Sequence, residues 1–156
     1  MDMLTQGLLA GYAGKSQRTS VSRGSFVLKT SHLENEDGFY HDEWTTASRI
    51  GGGQEIATSH SGTITRLYAG GVVNSEVLTS LGITPKDVTN FLKKEIQKLG
   101  DKTRLFENCT ARDGEWLYSY QIMDRYENIP VWQATEIIFY RSLVVFVHYF
   151  LLCPVG

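Results

Sequence analysis

The sequence is poor in cysteine and proline, with only two cysteines and three prolines in 156 residues. So few cysteines exclude the disulfide-dense class of small secreted domains, and Cys109 and Cys153 are expected to be free thiols in a reducing cytoplasm. The first residues have no cationic segment ahead of their apolar ones, so they do not predict a signal peptide. A chain of this length can bury a core unaided, and we expect one soluble cytoplasmic domain spanning residues 1–156.

The sequence also lacks a long hydrophobic run and a basic tail. The strongly apolar residues 143–155 are too few to cross a bilayer, and His148 and Pro154 interrupt them, so no membrane partner is expected. They predict a strand that is either central or a covered edge, and a covered edge would suit a homodimer. The net charge of −2, without a cluster of Lys and Arg, argues against nucleic acid as a partner.

What the sequence does contain is strand-like alternation and an aromatic content of 12%. The predicted strands cover residues 25–30, 39–46, 54–60 and 63–73 in the first half, and 104–111, 115–123, 131–140 and 143–152 in the second. Residues 16–24 are polar and predict a loop. Gly51-Gly52-Gly53 predicts a flexible connector, because the Lys-Ser/Thr of a phosphate-binding loop does not follow it.

Helical patterns precede each group of strands. Residues 3–13 and 75–81 predict short helices, and Thr84 predicts the cap of a longer one that ends at Gly100. Pro85 and Asp87 follow Thr84 at the first and third helical positions, where a missing donor and a negative charge are both favoured.

The order of these elements predicts an α+β fold made of two tandem repeats. Each repeat, over residues 1–73 and 75–156, is a helix followed by an antiparallel meander (α-β-β-β-β), and the helices pack on the antiparallel sheet. The alignment matches Asp37-Gly38 with Asp113-Gly114, Tyr40 with Trp116, Trp44 with Tyr120, Glu55 with Glu136, and Tyr68 with Tyr149. It places Asp42 opposite Tyr118, and Gly70-Gly71 opposite Leu151-Leu152.

Several short motifs add a family resemblance. They are Tyr12-Ala13, Ser22-Arg23-Gly24-Ser25, Tyr40-His41-Asp42-Glu43-Trp44, Gly53-Gln54-Glu55 and Tyr68-Ala69-Gly70-Gly71, with Phe91-Leu92, Tyr118-Ser119-Tyr120, Glu136-Ile137 and Tyr149 in the second half. Together they resemble a group of uncharacterised bacterial two-repeat domains, which occur alone or fused to helix-turn-helix regulators. The resemblance implies a fold and no established activity. The chain departs from the pattern at Leu151-Leu152, where the family pattern has two glycines.

One set of residues predicts a ligand site on a sheet face. The set combines aromatic rings, which supply apolar area, with carboxylates, which fix a cation or a hydrogen-bond donor. Its members are Tyr40, Asp42, Trp44, Glu55 and Tyr68, joined by Trp132 and Glu136 from the second half. No catalytic constellation, metal-ligand spacing or cofactor motif accompanies them, so a non-catalytic binding or regulatory module for a small ligand or a protein partner is favoured over an enzyme.

Three alternatives stay open on the sequence. Glu55 and Glu136 are a possible acid–base pair of a small hydrolase-like enzyme. The helical segment 75–98 has the apolar spacing of a DNA-binding helix pair, although Leu78 stands where a small residue is usual. The acidic and histidine residues between His32 and Glu43 are dense enough for a divalent metal, but a solvated hairpin tip is the simpler interpretation.

Overall fold

In a computed structural model that describes residues 1–14, 18–45 and 49–156, the protein forms one antiparallel sheet of nine strands with three α-helices. The predicted α+β class is confirmed at this level. In chain order, the elements are α1 (Met3–Ala10), β1 (Thr19–Arg23), β2 (Phe26–Asn35), β3 (Gly38–Thr45), β4 (Ile50–Ser59), β5 (Gly62–Val72), α2 (Ser75–Ser80), α3 (Pro85–Leu99), β6 (Cys109–Asp113), β7 (Trp116–Arg125), β8 (Trp132–Tyr140) and β9 (Leu143–Val155).

The sheet consists of two meanders that meet in its middle. The strand order is β1-β2-β3-β4-β5-β9-β8-β7-β6, so sequential hairpins build each half. Among the described strands, only the pairing of β5 with β9 connects one half to the other. In that join Tyr68 lies opposite Phe150 and Gly70 lies opposite His148. The apolar segment 143–155 is therefore a central strand, which resolves the choice that its sequence left open.

The helices cover one face of the sheet and close the core against it. The Phe91 ring of α3 stacks on Trp116 with ring centroids 5.0 Å apart. The predicted start of α3 is confirmed: the Thr84 hydroxyl accepts a hydrogen bond from the Asp87 backbone, and the Asp87 carboxylate accepts one from the Thr84 backbone. On α1, Gly7 is required because a Cβ there would lie 1.9 Å from the Tyr40 ring.

Three predictions about local structure were wrong. Residues 19–23 of the predicted loop form β1, because a Ser- and Thr-rich segment can pair along an edge without apolar alternation. The glycines 51–53 belong to β4, where two of them allow close approach: a Cβ at Gly52 would lie 2.5 Å from the Tyr68 carbonyl. The strand predicted for 104–111 begins only at Cys109. Residue 46, the predicted end of β3, and residues 16 and 17 lie outside the described part of the chain.

The two equal α-β-β-β-β repeats are not confirmed. Five strands follow α1, whereas four follow α3. The pairing registers also differ by two residues from the predicted alignment, since Tyr40 and Tyr118 occupy the matching positions relative to Glu55 and Glu136. By the same registers Asp42 corresponds to Tyr120, not to Tyr118.

The opposite face of the sheet exposes apolar side chains at the central join. Leu67 of β5 lies opposite Leu151 of β9, and both are exposed, as is the neighbouring Tyr149. None of the described helices has the length and hydropathy that a bilayer span requires.

Candidate functional site

Glu55 lies at the centre of a hydrogen-bonded group on the helix-covered face. Antiparallel pairing places Asp42 of β3 and Arg66 of β5 on either side of it. The Arg66 guanidinium donates to both carboxylate oxygens, at 2.5 and 2.7 Å, and the Tyr40 hydroxyl donates to Oε1 at 2.8 Å. All three side chains are buried. Two charge-assisted bonds in the fork geometry compensate for removing both charges from water.

Glu136 has a similar environment in the second half. The Arg104 guanidinium donates to its two oxygens at 2.7 and 2.6 Å, and the Tyr118 hydroxyl donates to Oε1 at 2.6 Å. His148 occupies the paired position on β9, with Nδ1 3.6 Å from the carboxylate. Burial alone would raise the pKa of Glu136, but the Arg104 charge, followed by His148, holds it well below its usual range.

Arg104 connects the two groups through its backbone. Its carbonyl accepts a hydrogen bond from Nη1 of Arg66, 2.5 Å away, while its side chain binds Glu136. The residue has φ of 59°, a left-handed conformation that is unfavourable for a side chain of this kind. Such a conformation persists only where surrounding contacts impose it, and here the contacts come from both halves of the sheet.

Asp42 differs from the two glutamates because its contacts include no cation partner. Its carboxyl accepts hydrogen bonds from the Tyr68 hydroxyl, at 3.1 and 3.4 Å, and the residue is only 2% exposed. Among the described residues, no Lys, Arg or His forms an ion pair with it. Burial first, and the neighbouring Glu55 carboxylate second, raise the pKa of Asp42 to about 8. The group therefore retains a proton near neutral pH.

A cavity of about 240 Å³ opens beside Asp42. It exists because facing strand positions have no side chains: Gly51 of β4 pairs with Gly70 of β5 on the helix-covered face. The volume lies just below the usual range of small-molecule pockets, roughly 300–1,000 Å³. The lining comprises Leu8, Tyr12, Asp42, Trp44, Thr45, Arg49, Gly51, Gly52, Glu55, Tyr68, Gly70, Gly71, Val72, Thr89, Arg104, Phe146 and His148.

Gly70 cannot readily be replaced at this position. Its φ of 145° falls in a region that favours glycine, and an added Cβ would lie 2.0 Å from the Val147 carbonyl. The central join thus requires a glycine where the cavity needs space.

The structure brings four of the seven predicted ligand residues to the cavity, namely Asp42, Trp44, Glu55 and Tyr68. Tyr40 lies beneath α1 and acts indirectly by holding Glu55. Glu136 is fully buried behind Arg104 and His148.

Trp132 does not line the cavity. Its strand position is inward, but its ring lies against Phe106, with centroids 4.8 Å apart. Opposite it on β9 is Leu152, which is fully buried and fills the space that glycine leaves open in the first half. Trp132 therefore does not meet Asp42 in this cavity.

Sequence reasoning missed the two buried arginines, His148 and the Tyr12 contribution. Arg66 had a usable signal, because it alternates with Tyr68 on an inward-facing strand pattern and lies opposite Glu55 once the hairpin register is known. Arg104 had none, since it lies in an irregular segment before β6. Within the described residues, no group of three or more His, Cys, Asp or Glu is arranged to hold a metal ion.

The chain was compared with known proteins at three levels. No protein-family model, no curated protein and no solved structure matches it.

Proposed function

We propose that the protein is a non-catalytic binding module that holds a small molecule in the cavity beside Asp42. The strongest support is a partly enclosed space in the middle of a continuous sheet. Glycines of the sheet form its base, and a carboxyl group and aromatic rings border it. A concave apolar pocket with a few convergent polar groups is the usual form of a small-molecule site. A regulatory role would follow if ligand occupancy changed the helices above the cavity.

Acid–base catalysis by Glu55 and Glu136 is less well supported. Both carboxylates are held by arginine and tyrosine donors, and the lowered pKa of Glu136 makes that group a poor proton donor. A glycosidase-like pair instead needs one carboxyl that stays protonated and space for a substrate between the two. The protonated group here is Asp42, whose closest hydrogen-bond donor is a tyrosine.

DNA binding through residues 75–98 is also less well supported. Leu78 and the apolar face of α3 are buried in the core of the domain, so the helices serve as its cover. Several lysines of α3 already have partners: Lys94 contacts Asp113, Lys98 lies 3.5 Å from Glu95, and Lys93 lies over the Tyr12 ring. Few cations are left to neutralise phosphates.

Two further predictions remain proposals. The matching Tyr–Glu contacts of the two halves support, but do not establish, the tandem repeat and the resemblance to bacterial two-repeat domains. A homodimer through the exposed Leu67, Tyr149 and Leu151 is likewise a proposal, which sedimentation at several concentrations would test.

The proposed function is tested by obstructing the cavity from the side of α3. Thr89 of α3 borders the cavity and is only partly buried, so Thr89→Phe should place a ring in the space without disturbing the sheet. A fragment library containing cations, anions and neutral compounds would be screened by ligand-observed NMR against the wild type and this variant. We expect hits on the wild type that weaken at least tenfold in Thr89→Phe.

The matched control is Thr79→Phe, which adds the same ring at an exposed position of α2 away from the cavity. It should retain every hit. If the library gives no hit, or if all hits bind Thr89→Phe as tightly as the control, the cavity is not the binding site.

A further inference from the structure

The charges on the helix-covered face can be paired individually. Arg66 is used by Glu55 and by the Arg104 carbonyl, and the Arg104 guanidinium is used by Glu136. Each buried arginine thus has its own glutamate, and these two pairs sum to zero charge. Asp42 is the remaining acidic group at the cavity.

The Asp42 carboxyl is a buried acceptor without a cation partner, and this indicates the kind of ligand that would complement it. The Tyr68 hydroxyl supplies one donor to a carboxyl group that, when ionised, has about four lone-pair sites. A buried carboxylate without a cation is strongly disfavoured, which agrees with the proton that Asp42 retains. A ligand that brings a positive charge and several N–H donors would satisfy it.

The remaining lining suits the body of such a ligand. Trp44 and Tyr68 border the cavity on the side of the carboxyl group, and Tyr12 and Phe146 complete its aromatic lining. Aromatic faces attract cations and also supply apolar contact area. Arg49 and His148 also line the cavity. Arg49 is exposed to solvent, and His148 lies 3.6 Å from Glu136.

We propose that the ligand of this cavity is a small organic cation, an ammonium or amidinium bound to the Asp42 carboxylate with an aromatic or apolar body against Trp44 and Tyr12. This inference rests on the proposed function, because it names the chemical class that the same cavity accepts. It predicts that cations bind more tightly than anions, because only a cation gains from the ionised Asp42 carboxylate.

Binding of a cation should be coupled to loss of the Asp42 proton. The titratable and charged groups that face Asp42 are Glu55 from β4, Arg66 and Tyr68 from β5, and Arg104 from the segment before β6. Asp42 is protonated below its pKa of about 8, so a cation must displace that proton there. Affinity for a permanently charged cation should therefore rise with pH, by up to about tenfold per unit, until Asp42 is ionised.

The probes are benzylammonium, its neutral analogue benzyl alcohol, and the anion benzoate. Dissociation constants would be measured by NMR titration between pH 5.5 and 7.5, where benzylammonium stays charged. We expect benzylammonium to bind most tightly, with affinity rising with pH and a loss of about tenfold or more in Asp42→Asn, the size of one charge-assisted hydrogen bond. Benzyl alcohol should show neither effect.

The outcomes separate this inference from the function on which it rests. Preferred binding of benzoate or benzyl alcohol that Thr89→Phe abolishes would overturn the cation assignment and leave the binding function standing. Benzylammonium affinity that is unchanged by Asp42→Asn, or independent of pH, would also overturn it. If neutral or anionic library compounds occupy the cavity while no cation of the library binds there, the cation class is wrong; if nothing binds, both proposals fail.

Discussion

The two halves of the sheet place a tyrosine and a buried glutamate at the same positions, but the surroundings of the two glutamates differ. In each half a tyrosine hydroxyl and an arginine guanidinium hold a buried glutamate. In the first half the arginine is Arg66, directly opposite the glutamate on the next strand, whereas in the second half that position is His148. Arg104, from an irregular segment, supplies the missing cation there.

The larger difference lies opposite the glutamates on the preceding strand, and four residues before them on their own strand. Where the first half has Asp42, the second has Tyr120, and the facing glycines Gly51 and Gly70 correspond to Trp132 and Leu152. The second half is thus filled by bulky side chains, and the first keeps an opening with an acidic group. The comparison shows that one strand scaffold can support a packed core or a binding cavity by exchange of a few inward positions.

Removing the second glutamate should have the largest effect. Glu136→Gln leaves Arg104 buried without its counter-charge, which typically costs about 3–5 kcal/mol of unfolding free energy. Urea denaturation at pH 7 measures this loss. The control is Glu115→Gln, which breaks an exposed pair with Arg141 and should cost less than about 1 kcal/mol. Similar losses in the two variants would show that the buried pair contributes no more than a surface pair.

Truncating Leu152, which stands where the first half has Gly70, should lower the unfolding free energy by a somewhat smaller amount. Leu152 is fully buried, and Leu152→Ala removes contacts and leaves a void, at about 3 kcal/mol. Leu151→Ala, on the exposed face of the same strand, should change the unfolding free energy by less than about 1 kcal/mol. If both substitutions cost the same, the second half is not a packed counterpart of the cavity.

Taken per pH unit, the smallest expected change concerns the acidic group itself, and its sign is stabilising. Because the folded chain holds the Asp42 proton up to about pH 8 and the unfolded chain releases it near pH 4, wild-type stability should fall across that range. Asp42→Asn removes this dependence, so the variant should be more stable than the wild type at pH 7, by an amount that grows by up to about 1.4 kcal/mol per pH unit. Denaturation curves at pH 5, 6, 7 and 8 would reveal it, and parallel pH profiles for variant and wild type would contradict it.

Much of the fold could be predicted from local patterns. The capping residues Thr84, Pro85 and Asp87 located α3, because helix starts depend on chemistry within one turn. Turn signals and alternation located β5, and a strongly apolar segment located β9. The edge strand β1 was missed, since its Ser and Thr residues pair without a buried face to impose alternation. The glycines of β4 were misassigned because a gap in side chains resembles a flexible linker in sequence.

The site was partly predictable for a related reason. Asp42 and Glu55 were identified because each is a carboxylate that accompanies aromatic residues on a predicted sheet face. The cavity could not be predicted, because it depends on Gly51 facing Gly70, a register that the sequence does not state. The role of Arg104 depends on contacts 32 and 38 residues away, with Glu136 and Arg66, and no local pattern encodes them.

The single join between β5 and β9 has a consequence for the order of folding. Each meander is built from neighbouring hairpins, whose loops are short and close quickly, whereas the join connects strands far apart in sequence. We expect the two meanders to form first and the join to close last. Gly70 of β5 and His148 of β9 face each other across that join, so the cavity is complete only at the final step. A bound ligand would then chiefly lower the rate of unfolding, because the strands that hold it are the first that must separate.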